Sequence, residues 1–456
     1  MLNKQPNNTV ESMKKKTLAL ALMMSLSATA QKLWTLEDCL NYANKNNISL
    51  KQARLKKQES TEDRKQSAAA LLPTLSASTN QSVGYRPWQN AGTMTVSNGT
   101  VNTEVKKTYY NGSYGLNGSW TLWNGGQNVN QLRASKLNEE IAALSIDETS
   151  NSIQERIAKL YVQILYQREA IAVNRQSAET SRKNEERGRQ MVEVGKMSKA
   201  DLAQLSAQRA ADEYSIVESE SQLATFLLQL KQLLELTDTE AFDIAAPAAT
   251  DQQALEEIPS LQAVYEVAQA GRPEIQSAKL SIEASNLQVK INKAGWLPSV
   301  SLTAGVGTST NSMSSNTWGN QIKTNFDASA GVGVSIPIVD GRRTKTAVNK
   351  ARMQLEEAQL SLQDKQKTLY ATIEGYWLDA QNNQQKFRSA MATVESEQAS
   401  FDLLQEQFQL GLKNIVELMT GKDRLMLAKQ NRLQSKYLTI LNLQLLKFYE
   451  GETLKI

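Results

Sequence analysis

The chain aligns with itself. Gly125 in "LWNGGQ" falls opposite Gly341 in "IVDGRR", 216 residues on, and Gly195 falls opposite Gly411 at the same spacing. Between these glycines the same shift pairs Leu132 with Val348, Leu144 with Leu360, Ile146 with Leu362, Ile153 with Leu369, Ile157 with Ile373 and Tyr161 with Trp377. Upstream the shift becomes 225. There "LLPTLS" (71–76) meets "WLPSVS" (296–301), so Pro73 matches Pro298, and Leu36, Ala43, Leu50, Ala53 and Leu55 match Leu261, Ala268, Ile275, Ala278 and Leu280. A tandem duplication restricts the fold strongly, because every element must occur twice and in the same order. The change in shift falls between Pro73 and Gly125, where the polar stretch 87–105 faces the shorter 308–321. Length variation of that kind belongs in an exposed loop.

Each unit reads helix, strand, loop, strand, long helix, glycine turn, long helix. The first unit is 31–236, with a β-hairpin at about 74–123 and a tip at Gly195. The second is 260–456, with a β-hairpin at about 299–340 and a tip at Gly411, and residues 237–259 join the two.

The strand segments alternate. From 112, Tyr114, Leu116, Trp120 and Leu122 share one face, and Ser113, Asn117, Ser119 and Thr121 the other. From 326, Phe326, Ala328, Ala330, Val332, Val334, Ile336 and Ile338 oppose Asp327, Ser329, Gly331, Gly333 and Ser335. Segments 74–85 and 299–308 alternate more weakly. Each segment is about ten residues, the length of a tilted transmembrane strand. Trp88, Trp120, Trp123, Trp296 and Trp318 lie in or beside these strands with Tyr85, Tyr109, Tyr110 and Tyr114, as in the aromatic belts of a bilayer interface. Alternation alone also suits a soluble sheet with one wet face. The aromatic placement and the N-terminus favour a membrane. Four strands do not close a barrel, and open edges are not tolerated in lipid, so several copies must share one.

The N-terminus reads "MKKKTLALALMMSLSATA" from Met13. Three lysines precede an apolar core, Thr17 to Leu26, too short to span as a helix, and Ala28-Thr29-Ala30 is a cleavage pattern. Residues 1–30 are thus expected to be an upstream extension and a secretory signal, with Met1 and Met13 both available as starts.

Between Gly126 and about Met191 there is no proline, which gives a helix on the order of 100 Å long. Val348, Leu355, Leu362, Leu369 and Tyr376 recur every seven residues, as do Leu132, Ile146, Ile153 and Leu160, with Glu139 breaking the series. That is a coiled-coil period. The other positions are dense in Gln, Glu, Lys, Arg, Ser and Asn, which suits helices with a narrow apolar seam and a broad wet surface. Partner helices are expected over about Lys199–Leu236 and Ile415–Phe448. The fold class is therefore mostly α with a membrane β part.

The sequence has no histidine and one cysteine, Cys39, expected as a small buried helix residue. Histidine-dependent catalysis, histidine-ligated metal sites and disulfides within the chain are excluded. No phosphate loop or zinc-ligand spacing occurs, so no catalytic, cofactor or metal site is expected. Once the signal is removed, acidic and basic residues nearly balance, which is no nucleic-acid footprint.

The junctions "LLPTLS" and "WLPSVS", the turns "LWNGGQ" and "IVDGRR", and the tips "VGKMSKADL" and "LGLKNIVEL" occur in duplicate and in order. Together they resemble the TolC family of outer-membrane efflux proteins over essentially the whole mature chain. The resemblance implies a homotrimer in outer-membrane lipid, with a 12-stranded β-barrel and an α-helical tunnel into the periplasm. It implies an export conduit for small molecules or polypeptides, in efflux or type I secretion, with no enzymatic role. A periplasmic adaptor and an inner-membrane pump would dock at the tips, at Val194, Gly195, Lys196, Leu410, Gly411 and Leu412. Family tips usually carry an apolar residue after the glycine; Leu412 keeps it and Lys196 does not. By the same resemblance Lys413 matches a basic gate position, and Asp201 and Glu417 match acidic ones, while a further acidic position is Thr420 here. The plainer reading of these three charges is solvated tip charge and helix capping. The alternative function is a surface-anchored coiled-coil stalk or adhesin, but two hairpins embedded mid-chain fit it poorly.

Overall fold

The computed structural model describes residues 33–88, 92–96, 99–103, 106–237, 242–247 and 249–455. The signal segment 1–30 lies outside the described residues, as do parts of the 87–105 stretch and of the joining segment 237–259. In chain order, β1 (Leu33–Trp34), α1 (Leu36–Asn46) and α2 (Ile48–Ala69) come first. Strands β2 (Thr74–Tyr85), β3 (Gly92–Val96), β4 (Gly99–Thr103) and β5 (Thr108–Trp123) precede α3 (Gln127–Glu193) and α4 (Lys199–Leu233). Then come β6 (Asp243–Ile244), α5 (Asp251–Ala254), α6 (Leu261–Gly271), α7 (Pro273–Lys293), β7 (Ser299–Asn311), α8 (Trp318–Thr324), β8 (Asp327–Ser335), α9 (Arg343–Gln409) and α10 (Ile415–Tyr449). Helices α3 and α9 hold 67 residues each.

The chain divides into two compact units. One comprises Gln52–Glu148 and Arg272–Thr368 and carries the main sheet. The order is β2-β5-β7-β8, antiparallel throughout, so the hairpin of each repeat pairs with the other through β5 and β7. Register decides the faces. Ala77 lies opposite Leu116, Leu116 opposite Val306, and Val306 opposite Ala328, while Trp120, Leu302 and Val332 form a second row. Asn117, Ser119 and Thr303 share the opposite face. Strand β8 ends at Ser335, short of the alternation read to Ile338, because Pro337 has no N–H to continue the ladder.

The β7–β8 connection contains α8, which the alternation does not announce. Gln321 is buried; its side chain accepts from Asn311 N and donates to Asn316 O, both at 2.8 Å. Trp318 meets Tyr114 edge-on at 6.2 Å. The heptad break at Glu139 has a cause in the same unit. Its carboxylate accepts from Thr61 at 2.7 Å and Arg64 at 2.6 Å, tying α3 to α2.

The other unit comprises Met1–Lys51, Thr149–Gly271 and Leu369–Ile456. Its fully buried side chains include Ile157, Tyr161, Ile164 and Leu165 of α3, Leu230 of α4, and Ile373 and Phe387 of α9. Cys39 of α1 is fully buried, as a small helix residue. Strands β1 and β6 form a parallel pair. Tyr161 donates its hydroxyl to Ala245 O at 2.6 Å, and Arg168 donates to Ile244 O at 2.8 Å, which holds β6 on α3. Trp377 of α9 donates to Pro259 O at 3.1 Å.

Beyond Leu160 the α3 heptad keeps its register but changes its chemistry. The positions continue as Gln167, Asn174, Ser181 and Gly188, and the three polar ones are buried. Gln167 donates to Ser219 O at 3.1 Å and Asn174 to Ser219 Oγ at 2.9 Å, so α3 and α4 meet along a hydrogen-bonded seam. Buried polar groups require such partners, and here each finds one on the facing helix.

Candidate functional site

Two surfaces carry functional geometry: the apolar face of the sheet and the tips of the two helical hairpins. On the sheet, Leu75, Leu116, Trp120, Val306, Val332 and Val334 are exposed although apolar. Tyr110 and Trp120 share this face, ten residues apart on β5. That is about 34 Å along the strand, or about 26 Å of height at a 40° tilt. The apolar band of a membrane barrel is about 25 Å tall and lies between aromatic girdles. Trp120 donates to Leu71 O at 2.9 Å, which fixes one girdle residue at the helix end of the sheet.

Both tips use one construction. Gly195 and Gly411 have φ of 71° and 74°, the left-handed region where L side chains are strained. Lys196 N donates to Met191 O at 2.8 Å and Gly195 N to Val192 O at 3.0 Å. Leu412 N donates to Gln407 O at 2.9 Å and Gly411 N to Phe408 O at 3.0 Å. This is the Schellman arrangement, and it satisfies carbonyls that a helix end otherwise leaves open. It is the local reason each long helix stops where it does.

The returning helices are capped by side chains. Ser198 Oγ accepts from Asp201 N at 3.0 Å and donates to the Asp201 carboxylate at 2.8 Å. Asn414 forms a capping box with Glu417, accepting from Glu417 N at 2.9 Å and donating its own N–H to Glu417 at 3.2 Å. Lys413 Nζ also donates to Glu417 Oε1, at 2.7 Å. The Lys413 hydrogen bond, with the Asn414 N–H behind it, lowers the Glu417 carboxyl pKa. The structure thus brings Lys413 and Glu417 together on one turn, and places Asp201 with Ser198 at the other tip. Thr420 donates back to Val416 O at 2.8 Å.

Around the glycines, Val194, Leu410 and Leu412 are exposed, as are Lys196 and Val416. Behind them Leu205, Phe401, Phe408, Ile415, Leu418 and Leu425 form a buried cluster against which Met197 and Met419 pack. The exposed apolar rim thus stands on a packed base. Sequence reasoning found the rim through its glycines. It did not find the buried polar seam behind it, which has no hydrophobic signal.

An exposed apolar face in a sheet of this length, flanked by aromatic residues, is the pattern of a membrane protein that meets lipid with its strands. The family profile described as "Outer membrane efflux protein" matches residues 39–235 and 264–452. The chain is 23% identical to outer membrane efflux protein BepC of Brucella suis, covering 77% of this chain and 74% of that one. It is 22% identical to outer membrane protein TolC of Vibrio cholerae, covering 94% and 93%. Its fold is similar to that in crystal structures of CusC, with a TM-score of 0.79, 18% identity and 92% of each chain covered. The chain belongs to the outer membrane efflux protein family. It is an export channel of the outer membrane.

Proposed function

We propose that three copies assemble edge to edge, β8 of one against β2 of the next, into one 12-stranded barrel continued by a helical tunnel. The observation that carries this is the open sheet: among the described residues β2 and β8 each pair on one side only, and the exposed face between them is apolar. Unpaired strand edges in lipid leave backbone groups unsatisfied at several kcal/mol each, so the sheet must be completed by its neighbours. Similarity to the outer membrane efflux protein BepC supports export across the outer membrane, with small molecules or polypeptides as the cargo.

In this reading Val194, Gly195, Lys196, Leu410, Gly411 and Leu412 receive a periplasmic adaptor, and an inner-membrane pump supplies the driving force. Lys413, Glu417 and Asp201 narrow the entrance, and their exposed pairings are weak enough for a partner to rearrange. The test is conductance of the purified protein in planar bilayers. Large, discrete channels are expected in the wild type, and Lys413→Ala is expected to raise resting conductance and sensitivity to large antibiotics. Unchanged conductance and permeability in that variant removes the gate assignment and leaves the fold standing. Absence of any channel in the wild type removes the conduit.

A further inference from the structure

Five residues beyond Glu417 stands a buried lysine. Lys422 of α10 is 4% exposed. Its Nζ donates to Ser181 Oγ of α3 at 2.6 Å and to the Asp212 carboxylate of α4. Ser181 donates to the same carboxylate oxygen at 2.5 Å. One cation therefore fastens the second helical hairpin to both arms of the first. A buried ammonium persists only with a charged, hydrogen-bonded partner, and loss of either partner strands the other.

The neighbouring residue brings the fourth helix into the same layer. A Cβ on Gly421 would lie 2.6 Å from Leu404 Cδ1 of α9, so the missing side chain permits the close approach. In the first hairpin the bulk is exchanged: a Cβ on Gly188 of α3 would collide with Leu205 of α4. Under the 216-residue shift Gly188 corresponds to Leu404, and Leu205 to Gly421. Glycine and leucine have traded places between the copies.

The fastening itself is not duplicated. The same shift places Ser206 where Lys422 stands, Glu397 where Ser181 stands and Ala428 where Asp212 stands. Ser206 turns inward and donates to Glu185 of its own hairpin at 2.7 Å. In a threefold assembly of a duplicated chain, first and second hairpins alternate around the ring, so two kinds of seam alternate as well. The buried ion pair lies within each subunit, and the corresponding positions of the seam between subunits lack it.

We propose that Lys422 keeps the seam within each subunit closed, so that the tips part along the seams between subunits when the channel opens. This rests on the trimeric channel reading. The full-length protein in lipid bilayers, spin-labelled at cysteines replacing Val194 and Leu410, tests it. Both positions are exposed, whereas Cys39 is fully buried. Label at Leu410 alone reports distances between subunits. The pair, diluted with unlabelled subunits, reports the distance within one.

In a Lys413→Ala background the Leu410 distances between subunits should lengthen. The Val194–Leu410 distance within a subunit should stay within about 2 Å, the scale of an ordinary packing adjustment. Lengthening of both overturns the proposal. If the distances between subunits stay fixed, the gate reading fails, and the fastening is judged by Lys422→Met alone. That change should broaden the distance within a subunit, and Lys422→Arg should leave it narrow. A distribution as narrow as wild type in Lys422→Met overturns the fastening. If Lys422→Met does not fold, the exchange Lys422→Asp with Asp212→Lys decides: a narrow distribution supports the ion pair and a broad one overturns it.

Discussion

An arginine on the sheet measures which face meets lipid. Val332 lies five residues from the start of β8 and three from its end, near mid-height, and is 64% exposed opposite Leu302. Thr303, one residue along β7 from Leu302, lies at nearly the same depth on the other face, opposite Gly331. Arginine on the lipid face near the midplane costs about 2–4 kcal/mol. Equivalent residues in a 12-stranded barrel are four strands apart, about 19 Å at the usual strand spacing. At that separation the costs add, so Val332→Arg should destabilise the proposed trimer by about 6–12 kcal/mol in total. Thr303→Arg should face water and change stability by about 0.5 kcal/mol or less per chain. Urea-dependent folding into phosphatidylcholine vesicles, read by tryptophan fluorescence, compares the two. Equal losses, or a larger loss for Thr303→Arg, would refute the assignment of the faces.

Gly195→Ala meets nothing within 4 Å of the new Cβ, so only the left-handed backbone resists it, and about 1–2 kcal/mol should be lost. Gly125→Ala, at φ 66°, adds a Cβ 2.9 Å from Leu297 Cβ and should lower the urea midpoint distinctly further. Tyr161→Phe removes the donor to the half-buried Ala245 carbonyl and should cost about 0.5–1.5 kcal/mol by thermal or urea unfolding. Hydrogen bonds from Thr61 and then Arg64 and Lys57 hold the Glu139 carboxyl at about 2, below its usual 4.5. A depressed carboxyl stabilises the fold above the unfolded pKa and ceases to as the pH falls through the folded one. The stability gap between wild type and Glu139→Gln should therefore be full at pH 7, shrink below about pH 4.5, and vanish near pH 2.

What the sequence disclosed follows from the range of each interaction. Alternation reports faces because a strand places successive side chains on opposite sides, so Leu116, Trp120 and Val332 could be assigned to one surface without coordinates. Glycine tips were legible because the left-handed turn is local to five or six residues. The apolar heptad was legible up to Leu160. Beyond it the same positions are Gln167, Asn174 and Ser181, and a hydrophobic period cannot follow residues held by hydrogen bonds. Lys422 was hidden for a different reason. Its partners lie 210 and 241 residues away, and nothing adjacent to it marks it as buried. The helix α8 was missed because the ties that hold it, Gln321 to Asn311 and Trp318 to Tyr114, form only once β5 and β7 are in place.

The open margins of the sheet also bear on biogenesis. A single subunit crossing the periplasm would present two unsatisfied strand borders and a greasy surface, the combination that templates aggregation. Neither liability can be relieved by the chain alone. In the proposed three-copy assembly, association and entry into the bilayer are thus best accomplished as one event.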